Sequence, residues 1–142
     1  MPLWKIYHPA DAFTPEDRKA ISVAITDIYG RVMPRFYVNV LFQEIPEDSF
    51  FIGGEPRRNF IRIWVDHIAR RMDSDEARTR FMTTMNEVLA PWVRDRGFDW
   101  ELHIDETPFE LWTVQGYFPP RGGTPDEERW RAENRPSPRT HD

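Results

Sequence analysis

Apolar residues along this chain switch between two spacings, and the switches divide it into strands and helices. The opening MPLWKIYHP is dominated by large apolar and aromatic side chains and predicts a strand over Leu3–His8. In AFTPEDRKAISVAITDIYGR, Thr14 can cap a helix, Pro15 suits its first position, and Glu16 and Asp17 favour its dipole. Ala20, Ile21, Ala24, Ile25 and Ile28 then recur on one helical face until Gly30. Phe36, Val38, Val40 and Phe42 alternate with Tyr37, Asn39, Leu41 and Gln43, the period of a strand with one buried face. Pro46 and Gly53–Gly54 mark a loop with room for a short hairpin.

The pattern then repeats. Ile61, Ile63 and Val65 line one face of a third strand. A second helix is predicted in DSDEARTRFMTTMNEVLAPWVRDRG, with Asp73 and Glu76 as a capping box, Phe81, Met85, Val88 and Trp92 on one face, a kink at Pro91 and a stop at Gly97. FDWELHIDE alternates as a fourth strand. Two tandem β-α-β units follow, with right-handed crossovers, giving an α/β four-stranded sheet with both helices on one face. Aromatic residues on the other face predict subunit association. Residues 1–120 form the expected domain, and 121–142, rich in proline and charge, are expected as a polar arm or tail.

At 142 residues the chain suits one domain with a core of its own. It has no cysteine, which excludes a disulfide framework and thiol catalysis and makes the cytosol the expected compartment. A net charge of -5 argues against a nucleic-acid surface, and no apolar run is long enough for a membrane span. Asp66–His67 and His103–Ile104–Asp105 carry metal-ligand side chains without the spacing or count of a recognisable metal site. There is no phosphate-binding loop and no nucleophile elbow.

The chemistry centres on Pro2. Proline is tolerated at the first position of a strand, and removal of Met1 would turn its nitrogen into a free secondary amine. An α-amino group titrates at about 7.7–8.0, and an apolar pocket lowers that value by disfavouring the charged form, so such an amine can serve as a general base near neutral pH.

With Pro2 at the head of two β-α-β units, the chain resembles the tautomerase superfamily. More narrowly it resembles the cis-3-chloroacrylic acid dehalogenase branch, through AITD at Ala24–Asp27, FQEIPEDSFFIGG at Phe42–Gly54 and ETP at Glu106–Pro108. The resemblance implies a tautomerase fold, a homotrimer and a catalytic Pro2. It also implies an arginine after the third strand that holds a substrate carboxylate, for which Arg70 is the nearest match and Arg71 an acceptable register. The branch's second arginine, three residues on, falls on Asp73. Tyr29 stands where the branch carries a histidine and His103 where it carries a tyrosine, and both can still donate a hydrogen bond. The branch's water-orienting glutamate falls on Val114, with Gln115 or Glu110 available only after a loop shift.

These residues imply a cofactor-independent tautomerase. Pro2 acts as base on a small carboxylate substrate, a 2-keto acid such as an arylpyruvate, with Arg70 on the carboxylate and His103 or Tyr29 polarising the carbonyl. The alternatives are a hydratase or dehalogenase of cis-3-substituted acrylates with Pro2 as acid, and a non-catalytic ferredoxin-like or tautomerase-like binding module. The missing carboxylate at Val114 disfavours the hydrolytic reading, and the acidic charge disfavours RNA binding.

Overall fold

A computed structural model describes residues 1–140. Its frame is a four-stranded mixed sheet with a separate two-stranded hairpin. β1 (Leu3–His8) leads through α1 (Pro15–Tyr29) to a parallel β2 (Asn39–Glu44), and β5 (Phe60–His67) leads through α2 (Asp75–Leu89) to a parallel β6 (Asp99–Glu106). The hairpin of β3 (Phe51–Ile52) and β4 (Glu55–Pro56) fills the loop that the glycine pair marked. The two units meet along β1 and β5, which run antiparallel with Leu3 opposite Asp66 and Tyr7 opposite Arg62. This is the four-stranded α/β sheet expected from the repeated pattern, and the tautomerase fold that the resemblance implies.

Side-chain parity decides the two faces. Trp4, Ile6 and His8 on β1, and Ile61, Ile63, Val65 and His67 on β5, are buried beneath the helices. Full burial of each large apolar side chain contributes about 1.5–3 kcal/mol, so this layer is the main stabilising element of the domain. From α1, Ile21, Ile25 and Tyr29 complete the core, and from α2, Met85 and Leu89. Leu3, Lys5 and Tyr7 with Arg62, Trp64 and Asp66 occupy the other face, half-exposed.

The two units close their strands in the same way. The Asn39 amide donates to the Pro2 carbonyl at 3.0 Å, and the Asp99 amide donates to the Asn59 carbonyl at 3.0 Å. At the other ends, the Ile45 amide donates to the His8 carbonyl and the Thr107 amide to that of His67, both at 2.8 Å. Each inner strand therefore ends in a buried histidine.

Several local expectations are corrected. β2 starts at Asn39, because Pro34 introduces a 3-10 turn over Arg35–Tyr37 that buries the Tyr37 ring. Thr14 caps α1 as expected, in a full box with Asp17, but α2 is capped by Ser74, whose side chain accepts from the Ala77 amide. The Asp73–Glu76 pair is one residue out of register for a box. α2 also ends at Leu89, ahead of Pro91, which has no amide N–H to continue the helical ladder, although Ala90 before it keeps helical angles. Gly97, at φ 78°, terminates a separate 3-10 turn over Arg94–Arg96.

Beyond Pro120 the chain forms a third helix, α3 (Pro125–Glu133), capped by Thr124 and closed by Asn134 in the left-handed region. Trp130 is fully buried against Phe36 and Tyr37, and its indole N–H donates to the Ser137 carbonyl at 3.0 Å. The Asn134 side chain accepts from the Phe36 amide at 3.1 Å. The polar arm is thus docked on the turn that precedes β2. No described helix is long and apolar enough to cross a membrane.

Candidate active site

Antiparallel pairing of β1 with β5 places the chain's first residues beside the end of β5 and the loop that follows it. Pro2 is buried, with even-numbered parity that sets it on the helix side of the sheet. The Met1 amine ahead of it is pushed down to about 4, first by burial and then by the nearby Arg70 guanidinium. The Pro2 nitrogen lies one peptide further in, a step of about 3.8 Å between successive Cα atoms. Desolvation in this place and the facing cation both disfavour the charged form of the Met1 amine.

Two ring systems flank that place. Tyr29, the last residue of α1, is buried 5.7 Å from the His67 ring, and both pack on Phe81. Burial raises the Tyr29 hydroxyl well above its ordinary value, so it stays protonated and able to donate. Trp4 directs its indole toward that hydroxyl without reaching full hydrogen-bond geometry, and the Tyr29 oxygen has no protein partner. His67 bonds through Nδ1 to the Arg70 carbonyl at 3.1 Å, which makes Nδ1 the donor and leaves Nε2 as the acceptor. That Nε2 is buried and unpartnered. Burial holds the ring below its usual titration range, against the opposing pull of the Arg70 carbonyl and, more weakly, of Glu106. The ring is therefore neutral at pH 7, with a free lone pair in the protein interior.

Arg70 follows β5 in a loop where Ala69 adopts φ 76°. Its Nη1 donates to the Ala69 carbonyl at 2.9 Å, and its Nη2 donates to the Val32 carbonyl and to Glu127 Oε1, both at 2.7 Å. Both planar forks of a guanidinium use Nη2, so no fork on Arg70 retains two free donors. The Gly122 backbone presses on the same group: a Cβ there would meet Arg70 Cζ at 2.8 Å, so any larger residue would displace the guanidinium. Arg71 is exposed and shares a cleft with Arg121, Thr107 and Phe109. Arg121 lies over the Phe109 ring and pairs with Glu110 at 2.6 Å, an exposed pair that exchanges readily.

Of the residues singled out from sequence, Pro2, Tyr29 and Arg70 come together, and Arg71 lies on the rim. His103 does not join them. It lies on the opposite sheet face, stacked on Trp64 at 5.4 Å, with Nδ1 accepting from Arg62. Val114 is held in a tight turn by paired bonds with Tyr117, and Gln115 in that turn is exposed. Glu110 is exposed and pairs with Arg121. The carboxylate that does sit beside His67 is Glu106, its register partner on β6, which accepts from the Met72 amide at 3.3 Å. His67 was legible as the inward-facing position after Ile61, Ile63 and Val65; Glu127 left no such signal.

A sequence-family model settles the relationship: the oxalocrotonate tautomerase-like family Tautomerase_3 matches residues 1–135. This chain belongs to that family. Among solved structures, RhCC from Rhodococcus jostii RHA1 is 48% identical, with 96% of this chain and 99% of that one covered at a TM-score of 0.94. N1, a member of the cis-3-chloroacrylic acid dehalogenase family, has 19% identity over 93% of this chain and 97% of its own, with a TM-score of 0.74. A fused 4-OT that forms an asymmetric trimer has 17% identity over 82% and 94% of the two chains at 0.65. The last two are likenesses of fold. A search of curated proteins finds no match to the sequence.

Proposed function

We propose that the protein is a cofactor-independent tautomerase in which the Pro2 amine, freed by removal of Met1, is the general base. The observation that carries this reading is the buried Pro2 ahead of β1, in a site where burial and the Arg70 guanidinium push even the Met1 amine before it down to about 4. A neutral amine is a base, whereas the hydratase or dehalogenase reading needs a charged one. The same site favours the first reading.

On a 2-keto acid such as an arylpyruvate, the Pro2 lone pair takes a proton from the carbon beside the carbonyl. The C–H electron pair moves into the carbon–carbon bond, and the carbonyl oxygen becomes an enolate. Arg70 offers a fixed positive charge for that oxygen, and the Tyr29 hydroxyl offers a donor in a dry pocket, where such interactions are strongest. The proton on Pro2 then passes to the oxygen to give the enol, and the reverse sequence returns the keto form. Arg71, exposed in the adjoining cleft, suits the substrate carboxylate.

A homotrimer is part of the proposal, supported by the family resemblance, by the trimeric 4-OT of similar fold and by the open sheet face. His103 belongs to that face, so any part it takes in chemistry is at a neighbouring subunit's site.

Intact mass and N-terminal sequencing, followed by arylpyruvate keto–enol assays, test the reading. The expected result is a chain beginning at Pro2, with activity that falls as acid protonates the amine, along a limb well below the ordinary amine range of about 7.7–8.0. Pro2→Ala should reduce kcat/KM by about 100-fold or more. Active protein that retains Met1, or a Pro2→Ala variant as active as wild type, overturns it.

A further inference from the structure

The C-terminal helix reaches the site through one carboxylate. Glu127 is the third residue of α3, its side chain only 7% exposed, and both of its oxygens are committed: Oε1 accepts from Arg70 and Oε2 accepts from the Gly123 amide at 2.8 Å. The helix that carries it is anchored by the buried Trp130. This is a fixed strut, and it closes on a guanidinium already gripped by the Val32 and Ala69 carbonyls and covered by Gly122.

We propose that Glu127 is a positioning residue: it holds the Arg70 guanidinium at the N-terminal amine and occupies the fork that a substrate carboxylate would otherwise take. Arg70 then acts as a stationary charge for the enolate, and the substrate carboxylate is left to the cleft around Arg71. Fixing a cation costs less when its own counter-charge is buried with it, and removing one partner of such a pair leaves an uncompensated charge. Tyr37 lies within reach of both fields: burial raises its hydroxyl first, and Glu127 adds to the rise while Arg70 opposes it. Arg70 from the β5–α2 loop and His67 from β5 face the amine, and behind them stand Glu106 from β6 and Tyr29 from α1 beside His67, and Glu127 from α3 and Tyr37 from the turn before β2 beside Arg70.

The role in turnover rests on the tautomerase reading, but the first measurement does not. The N-terminal amine is titrated by the pH dependence of its acylation in intact wild-type protein and in Glu127→Gln, which keeps the shape and removes the charge. The expected result is a downward shift in the variant, because Arg70 loses its counter-charge, and a return toward wild type in Glu127→Asp. An unmoved titration in a folded Glu127→Gln protein overturns the proposal, whatever the activity shows. Where arylpyruvate turnover is present, Glu127→Gln should lower kcat by about tenfold, since the base becomes weaker. In Glu127→Ala the opened fork should tighten binding of phenylpropionate, a substrate-like carboxylate; weaker binding with α3 still docked overturns the proposal as well.

Discussion

Trp130→Ala tests whether the C-terminal arm is structural. The side chain is fully buried, edge-on to the Tyr37 ring at 6.3 Å and tilted against Phe36 at 6.0 Å, with its indole nitrogen bonded to the Ser137 carbonyl. Truncating a buried tryptophan to alanine costs about 3–5 kcal/mol, of which the lost hydrogen bond accounts for about 1. For a chain of this size each kcal/mol moves Tm by about 2–4 °C, so a fall of about 6–20 °C is expected if the domain unfolds in one step. Trp130→Phe keeps most of the apolar contact and should lose about a third of that. Calorimetry gives the global term, and hydrogen exchange at the 125–133 amides shows whether α3 opens on its own. A loss below about 1 kcal/mol, with no added exchange in α3, refutes the view that this residue pins the arm.

Three further outcomes follow from described contacts. Asp17 receives both Nη groups of Arg96 at 2.7 and 2.8 Å and also accepts from the Thr14 amide, and the Arg96 bond first, then that amide, holds its carboxyl below the usual carboxylate range. Its folded value is depressed, so its stabilisation is present above the unfolded value of about 3.9 and is lost as pH falls below it; Asp17→Asn should be less stable at pH 6 and lose less between pH 6 and pH 3, and an unchanged acid slope in urea melts would refute this. Tyr29→Phe should lower kcat of arylpyruvate tautomerisation by about 10–100-fold with KM little changed, and wild-type kcat in that variant would remove the hydroxyl from the mechanism. His103→Ala should weaken subunit association in sedimentation experiments while leaving the pH limb of activity in place, and a shifted limb would count against its placement on the assembly face.

The frame was legible because both periods are strong where the core is deep. Ile61, Ile63 and Val65 alternate under the helices, and Ile21, Ile25 and Tyr29 share one stripe of α1, so pattern and burial coincide. They part company around residue 36, where the alternation of Phe36 and Val38 crosses a 3-10 turn that Pro34 imposes. α3 escaped notice for another reason: a nine-residue helix anchored by one tryptophan has no periodic stripe to detect. In the site, Pro2 and Arg70 were readable through resemblance and Tyr29 through its position. His103 has the outward parity on β6 that the alternation predicts, which puts it on the far side of the sheet from the amine of its own chain. Glu127 could not be read at all, because it meets Arg70 across 57 residues of chain.

The matched strand closures carry one more consequence. A pseudo-twofold axis between β1 and β5 places the Pro2 carbonyl and the Asn59 carbonyl in equivalent bonds, and His8 and His67 at equivalent strand ends, each with an unpartnered Nε2. The domain thus has two related corners. At one stands Pro2, the proposed amine; at the other, the backbone runs on through Arg57 and Arg58 into β5, so the nitrogen there is an amide and has no basicity. On the proposed mechanism the free nitrogen, rather than the side chains around it, breaks the symmetry between the corners. Rejoining the ends and opening the backbone ahead of Asn59 would move the amine to the corner that His8 already furnishes.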